Sequence, residues 1–151
     1  MSFQVIRPQI ATLLETLDTI QEVSSSPKIK FTGYPAAHVV PSDNESDYES
    51  TTENVRTYAF IVRVFYETKV TGVAGAYTAL DTIVDSVLDL FDQEDQKSAA
   101  NRVVATTNSL PSRYTYLNIW AMPTGWGEVP GEELVMAQMS VRVRISVDIQ
   151  P

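Results

Sequence analysis

Hydrophobic residues along this chain follow two periods, one near 3.6 residues and one of two. Ile6, Ile10, Leu13, Leu14, Leu17 and Ile20 recur at three- and four-residue steps, which sets them on one face of a helix. Pro8 suits the first turn, where its missing N–H is no loss, and the Ser-Ser-Ser-Pro stretch ending at Pro27 stops the element. A second helix is expected from about Thr71 to Phe91, with Tyr77, Leu80, Ile83, Val84, Val87, Leu88 and Phe91 as its apolar stripe. Its other flank carries Asp81, Asp85, Asp89 and Asp92, with Glu94 and Asp95 beyond. Like charges four apart cost roughly a few tenths of a kcal/mol each. Those near the C-terminus also oppose the helix dipole.

The period of two marks the strands. The stretch from Lys28 to Val40 reads as extended, with a bend at Gly33 and Pro35. In "TYAFIVRVFYE", Tyr58, Phe60, Val62, Val64 and Tyr66 share one side, while Ala59, Ile61, Arg63, Phe65 and Glu67 share the other. Two shorter strands are expected in "RVVATT" and "RYTYLNIWAM", separated by "NSLPS", before the Gly- and Pro-rich turn "PTGWGEVPGEE". The last segment alternates most regularly: Val135, Ala137, Met139, Val141, Val143, Ile145, Val147 and Ile149 interleave with polar residues that include Arg142 and Arg144. The order helix, strands, helix, strands predicts an α+β fold. Its expected form is one domain over residues 1–151, a mostly antiparallel sheet with two α-helices packed on one face and a long acidic loop.

Composition narrows the function. A chain of 151 residues hides roughly 68–70% of its unfolded surface when folded, so one core suffices. The hydrophobic fraction of 44%, with 20% charged residues, belongs to an ordered globular protein. A formal net charge of −8 repels phosphate and anionic lipid, which argues against tight nucleic-acid binding and leaves open a wall past which DNA slides. There is no cysteine, so disulfides, thiolate metal sites and cysteine nucleophiles are excluded. The first helix carries Glu15, Asp18 and Glu22 instead of an unbroken apolar run, and no stretch reaches the ~18 apolar residues of a membrane helix. Neither a secretory leader nor a membrane partner is expected. The Asn44-Glu45-Ser46 glycosylation pattern is read as chance.

The segment "PSDNESDYES" holds Asp43, Glu45, Asp47 and Glu49 within seven positions, next to Tyr48. Three explanations compete: a calcium site, a solvated loop, or half of a contact whose basic half lies elsewhere. Asp43, Glu45 and Asp47 match the first, third and fifth positions of a cation loop, but Tyr48 and Asn54 stand where an EF-hand needs Gly and a bidentate Glu. His38 is the only histidine, so any Ser-His-Asp arrangement runs through it; its place in "PAAHVV" favours a structural role. "TGVAGAY" lacks the Lys-Ser/Thr of a phosphate loop. Trp120 and Trp126 lack the surrounding cations of a base-stacking platform and read as core or interface. No catalytic residue, metal site or cofactor is expected. What remains is a charge pattern: Arg63, Arg142 and Arg144 form a basic cluster if their strands are neighbours, against acidic residues 43–53 and the Asp81–Asp95 flank. The acidic loop then folds back on that cluster within a subunit, or meets it head-to-tail between subunits and closes a ring.

From "YPAAHVVPSDNESDYESTTENVRTYAFIVRVFYE", through the following amphipathic helix, to "WGEVPGEELVMAQMSVRVRISVDI", the chain resembles the tail-terminator or tail-completion proteins of long-tailed bacteriophages, a head–tail joining family. The resemblance implies an α+β structural virion protein and no enzyme. It implies a homo-oligomeric, hexameric ring that caps the tail tube, ends its polymerisation and joins it to the head connector or neck protein. DNA is then only cargo passing through, and the location is the tail–head junction of a virion assembled in the host cytoplasm. The resemblance makes Asp43, Glu45, Asp47 and Tyr48 candidate ring or tube contacts, with Arg142 and Arg144 as their partners. Glu49, Ile61, Arg63 and Phe65 join them as candidate contacts, and because an exposed ion pair is worth only about 0–1 kcal/mol, Tyr48, Ile61 and Phe65 are taken as apolar anchors. Asp81, Asp85, Asp89 and Asp92 would face the lumen or a partner. The alternatives are a head-completion or neck protein, a calcium-dependent binding module and, last, an enzyme using His38.

Overall fold

The computed structural model describes residues 3–28, 30–42, 45–48, 53–106 and 109–148. In chain order the elements are α1 (Phe3–Leu14), β1 (Glu22–Ser24), β2 (Ala36–Pro41), β3 (Glu45–Tyr48), β4 (Glu53–Glu67), α2 (Gly72–Gln96), β5 (Tyr114–Glu128) and β6 (Leu134–Asp148). The sheet runs β1-β2-β4-β6-β5, with β3 also paired to β4, and only the β1–β2 pair is parallel among these. Both helices pack on one side, so the fold is α+β.

Strands β4, β5 and β6 are 15 residues each, a length of roughly 50 Å at the usual strand rise. Alternation decides which side each residue takes. Tyr58, Phe60, Val62 and Val64 from β4 and the odd-numbered residues 135–147 of β6 face the helices and join one core. That core takes Ile6, Ile10, Leu13 and Leu14 from α1, and Leu80, Val84, Val87 and Phe91 from α2. Burying such a side chain contributes roughly 1.5–3 kcal/mol, and this shared apolar face holds both helices on the sheet.

Four expectations are corrected. α1 ends at Leu14: Thr16 and Leu17 bond back to the carbonyls of Leu13 and Leu14, a tightening that unwinds the helix. Ile20 still reaches the core from the turn that follows, and Pro8 lies inside the helix with its ring exposed. Residues 102–106 are turns, not a strand; the N–H groups of 103–105 go to side chains from the helices, as described below. The Gly- and Pro-rich stretch begins as strand: β5 runs on through Pro123, Gly125 and Gly127 with register shifts at 116/118 and 123/125. An edge strand tolerates Pro and Gly because one side makes no ladder bonds. The turn is confined to residues 129–133, where Gly131 has φ of 77°.

The fourth correction concerns the acidic segment, read as a loop over 41–54. Glu45–Tyr48 is strand, with Glu45 opposite Thr57 and Tyr48 opposite Asn54. β2 and β3 follow each other along one edge of β4: Pro41 faces Phe60, then Ser42 donates its N–H to the Ala59 carbonyl at 2.8 Å, then Glu45 faces Thr57. That edge offers backbone partners that a free loop would lack. Asp43 and Glu49 lie outside the described residues, and for Glu45, Asp47 and Tyr48 the backbone alone is described.

Candidate functional site

The side of the sheet away from the helices carries the basic residues. Residues directly opposite in neighbouring strands share a face. Register therefore builds rows across it: His38–Arg63–Gln138, Val40–Ile61–Ser140–Met122, Ala59–Arg142–Trp120 and Thr57–Arg144–Asn118. β4 and β6 are neighbours, so Arg63, Arg142 and Arg144 occupy one face.

One row is hydrogen-bonded across four strands. The Arg63 Nε–H donates to Gln138 Oε1 at 2.9 Å, and the Gln138 Nε2–H donates to Thr124 Oγ1 at 3.3 Å. Arg63 Nη1 lies 3.3 Å from His38 Nε2, while His38 Nδ1 lies 2.7 Å from the Lys28 carbonyl oxygen and 3.0 Å from its N–H. A guanidinium only donates, so Nε2 is the acceptor and the ring proton sits on Nδ1, given to the Lys28 carbonyl. Burial pushes the His38 pKa down; the Arg63 charge acts the same way, and the Lys28 carbonyl opposes both. The ring is thus a neutral bridge between a loop and an arginine. Its hydrogen-bond partners among the described residues are the Lys28 backbone and Arg63, with no carboxylate of the kind a catalytic triad uses.

Phe65 was expected as an exposed anchor, but it is 3% exposed. Its ring meets Phe31 at 5.7 Å and His38 edge-on at 5.1 Å, so it is covered within the chain. Ile61 is half-buried. The larger exposed apolar side chains on β5 are Leu117, Met122 and Trp126. Beside Phe65 a cleft of about 230 Å³ opens between His38, Arg63, Met136, the end of β5 at Glu128 and the turn residues Val129 and Pro130.

The acidic residues fall into two places. Register puts Glu45 in the same row as Thr57 and Arg144, two strand spacings or roughly 9.6 Å across. The acidic strand and basic cluster thus belong to one sheet within the subunit. An extended strand at 45–48 does not coil around a point as a cation loop must. Among the described residues no group of three His, Asp or Glu is placed to hold a metal ion. Gly72, with φ of 72°, and Gly75, whose Cβ would fall 2.7 Å from Thr71 Cβ, serve the turn into α2.

Asp81, Asp85, Asp89 and Asp92 are all exposed on α2, away from the sheet. Glu94 and Asp95, which extend that acidic run in the sequence, turn inward instead. Glu94 is fully buried; its Oε2 accepts the N–H groups of Val103 at 2.7 Å and Val104 at 2.6 Å, and its Oε1 lies 3.2 Å from Lys97 Nζ. Asp95 Oδ1 accepts the Tyr116 hydroxyl at 2.8 Å and the Ile119 N–H at 2.9 Å. Burial, and then Asp95, push the Tyr116 pKa far up. Gln9 Oε1 accepts the Ala105 N–H at 2.8 Å. Three side chains from the helices thereby pin residues 103–105 and β5.

Sequence reasoning missed the feature these contacts create. Arg102 folds inward, 8% exposed, with Nε and Nη2 donating to the carbonyls of Val104 and Ala105 at 3.0 Å each. Its guanidinium stacks 3.6 Å from the centroid of the Tyr116 ring. It lines a cleft of about 340 Å³ with Ala99, Ser112, Thr115 and Tyr116. The only sequence signal was a lone cation within an otherwise apolar and small-polar stretch.

No protein-family model matches the chain. No curated protein matches it either. Among solved structures, a chain described as "Virion of native gene transfer agent (GTA) particle" superposes with a TM-score of 0.55 at 17% identity, over 95% of this chain and 93% of that one. The two share a fold across nearly their whole lengths. No helix among the described residues is long and apolar enough to cross a membrane.

Proposed function

We propose that this chain is a structural protein of a phage-like virion that closes into a hexameric ring, caps the tail tube, stops its polymerisation and joins it to the head connector. The observation that carries this reading is the likeness in fold, end to end, to a chain of a gene transfer agent virion. The two-sided charge supports it. α2 presents the acidic row Asp81–Asp92, and the opposite side of the molecule presents Arg63, Arg142 and Arg144. An acidic surface lining a lumen lets DNA slide without sticking, because its charge repels phosphate. The opposite face is the one assigned to protein, the next subunit or the tube.

Energetics divide the work between charge and apolar area. An exposed ion pair is worth about 0–1 kcal/mol, whereas a stable interface buries about 1,600 Å² in total. The charges select partner and register; Ile61 and Met122, in one row on that face, supply contact area. The test is to add the purified chain to polymerising tail-tube subunits. Tubes should stop at shorter lengths and carry a ring at one end in negative stain, and Arg142→Glu with Arg144→Glu should remove the rings while the circular dichroism spectrum stays native. An unchanged length distribution with the wild-type chain would refute the capping role; immunogold label on the connector side would reassign the chain to the neck.

A further inference from the structure

The chain carries 19 acidic residues against 11 Lys and Arg, so two arginines side by side with no acid between them stand out. Arg56 and Arg113 are such a pair. Arg56 lies on the helix side of β4, in the row of Ile145 and Tyr116, and Arg113 stands in the turn just before β5. Arg56 Nη1 donates to the Tyr58 and Tyr114 hydroxyls at 3.4 Å each, and Arg113 Nη2 donates to the same Tyr114 hydroxyl at 3.5 Å. Sharing one oxygen, the two nitrogens cannot be further apart than 3.4 and 3.5 Å added, 6.9 Å. Both guanidinium carbons also stand near the Tyr114 ring, 5.8 and 5.3 Å from its centroid, close enough for the π face to hold them. Neither arginine has an ion pair among the described residues, whose salt bridges use Lys28, Lys69 and Lys97. Asp148 gives its N–H to the Arg113 carbonyl, but it alternates with Val147 and so belongs to the sheet's other face. Glu94 and Asp95 are engaged by the 103–104 backbone, Lys97, Tyr116 and Ile119.

We infer that Arg56, Arg113 and Tyr114 form a binding site for a phosphate group. Their mutual bonds are long beside the usual N–H···O length of about 2.9 Å, so the hydroxyl only loosely satisfies the two cations. Arg56 uses Nη1 alone and Arg113 Nη2 alone, which leaves the other N–H groups of both without partners among the described residues. The Tyr114 hydroxyl accepts from both arginines and keeps its own proton to give. Donors from three residues thus converge. A phosphate supplies up to two negative charges and several acceptor oxygens, against one charge and two oxygens for a carboxylate, and so matches two cations better. The site is open to solvent: Arg113 is exposed, and Arg56 and Tyr114 are half-buried. It lies past the C-terminal end of α2, because Asp95 bonds Tyr116 and Tyr114 is the next residue of β5 on that face. A net charge of −8 keeps the affinity modest and the contact brief. A nucleic-acid backbone and free phosphate offer the same chemistry, and the test separates them.

The experiment titrates inorganic phosphate into the full chain at low salt and follows amide and arginine side-chain N–H shifts. Signals of residues 56 and 112–116 should move and saturate together. Arg113→Gln, at an exposed position, should weaken binding about tenfold by removing a charge-assisted bond. Tyr114→Phe keeps the ring, removes the hydroxyl and should weaken it roughly threefold. Lys69→Gln removes the same charge from an exposed site elsewhere and should change binding by less than about twofold. Native melting curves are required of each variant; if Tyr114→Phe fails to fold, Arg113→Gln decides alone. Equal losses in Arg113→Gln and Lys69→Gln overturn the site, as does a wild type whose signals at 56 and 113 do not saturate. Acetate binding as tightly as phosphate overturns the phosphate and points to a carboxylate-bearing protein instead. A second titration uses single-stranded oligothymidylate. Tighter binding than inorganic phosphate, at the same signals and weakening with salt, supports the site with a nucleic-acid backbone as its ligand; no binding of the oligonucleotide while inorganic phosphate saturates supports it with free phosphate. Neither titration needs a ring, so a failure to cap tubes leaves this site standing, and a loss of phosphate binding leaves the capping role standing.

Discussion

Replacing Glu94 gives the sharpest test of how the 97–113 segment is held. In Glu94→Ala, the N–H groups of Val103 and Val104 lose an acceptor at 2.7 and 2.6 Å, in a site where the side chain is 0% exposed. Each stranded buried donor costs about 1–3 kcal/mol, so the pair sets a scale of roughly 2–6 kcal/mol. Removing a buried carboxylate returns part of its desolvation cost, and water entering the gap satisfies part of the rest. The net expectation is a loss of about 2–4 kcal/mol, or roughly 4–16 °C in melting temperature for a domain of this size. Glu94→Gln keeps the shape and one carbonyl-type acceptor, so it should cost about half as much. The assay is urea unfolding followed by tryptophan fluorescence, with hydrogen exchange at Val103 and Val104 as the local readout. A Glu94→Ala midpoint equal to wild type, with both amides still protected, would refute the assignment.

Three further outcomes are expected. Arg63→Met leaves the Gln138 carbonyl and His38 Nε2 without their shared donor and should destabilise the chain by about 1–2 kcal/mol in urea; a stability within 0.3 kcal/mol, to order of magnitude, would mean the row carries no energy. Glu22 is held at about 2, against an ordinary value of 4.5, chiefly by Lys28 and then Thr32. Its contribution is therefore complete above pH 4.5 and lost as pH falls towards 2; a carboxyl carbon NMR titration with its midpoint at the ordinary value would contradict the contact. Asp85→Asn removes like-charge neighbours at Asp81 and Asp89 and should raise thermal stability by about 0.5 kcal/mol, an increment that shrinks in high salt; no gain at low salt would show that the exposed row is not under repulsion.

The regular parts of the fold were legible because one period dominated each. In β6 every odd residue from Val135 to Val147 is buried, as alternation requires, and α2 shows its stripe through Leu80, Val84, Val87 and Phe91. "RVVATT" misled because Val and Thr carry strand propensity, while the partners that bend the segment, Glu94 and Gln9, come from two different helices. Phe65 reads as exposed by alternation on a sheet with helices on one side only. It is covered by Phe31, from a loop whose position no local pattern encodes. The basic face was foreseeable once β4 and β6 were taken as neighbours. The Arg102 cleft was not, since it exists only where the end of α2, a turn and the start of β5 converge.

The irregularities of β5 bear on how such a protein survives at high concentration. A straight outermost strand of this length would be a template onto which any extended polypeptide could zip. Two breaks in register, a proline and a pair of glycines prevent that by offsetting the exposed amides and carbonyls from an even spacing. Unrelated chains find no continuous rail, while a surface shaped to the same offsets can still dock, so promiscuous fibre growth is suppressed without closing this margin to a dedicated mate.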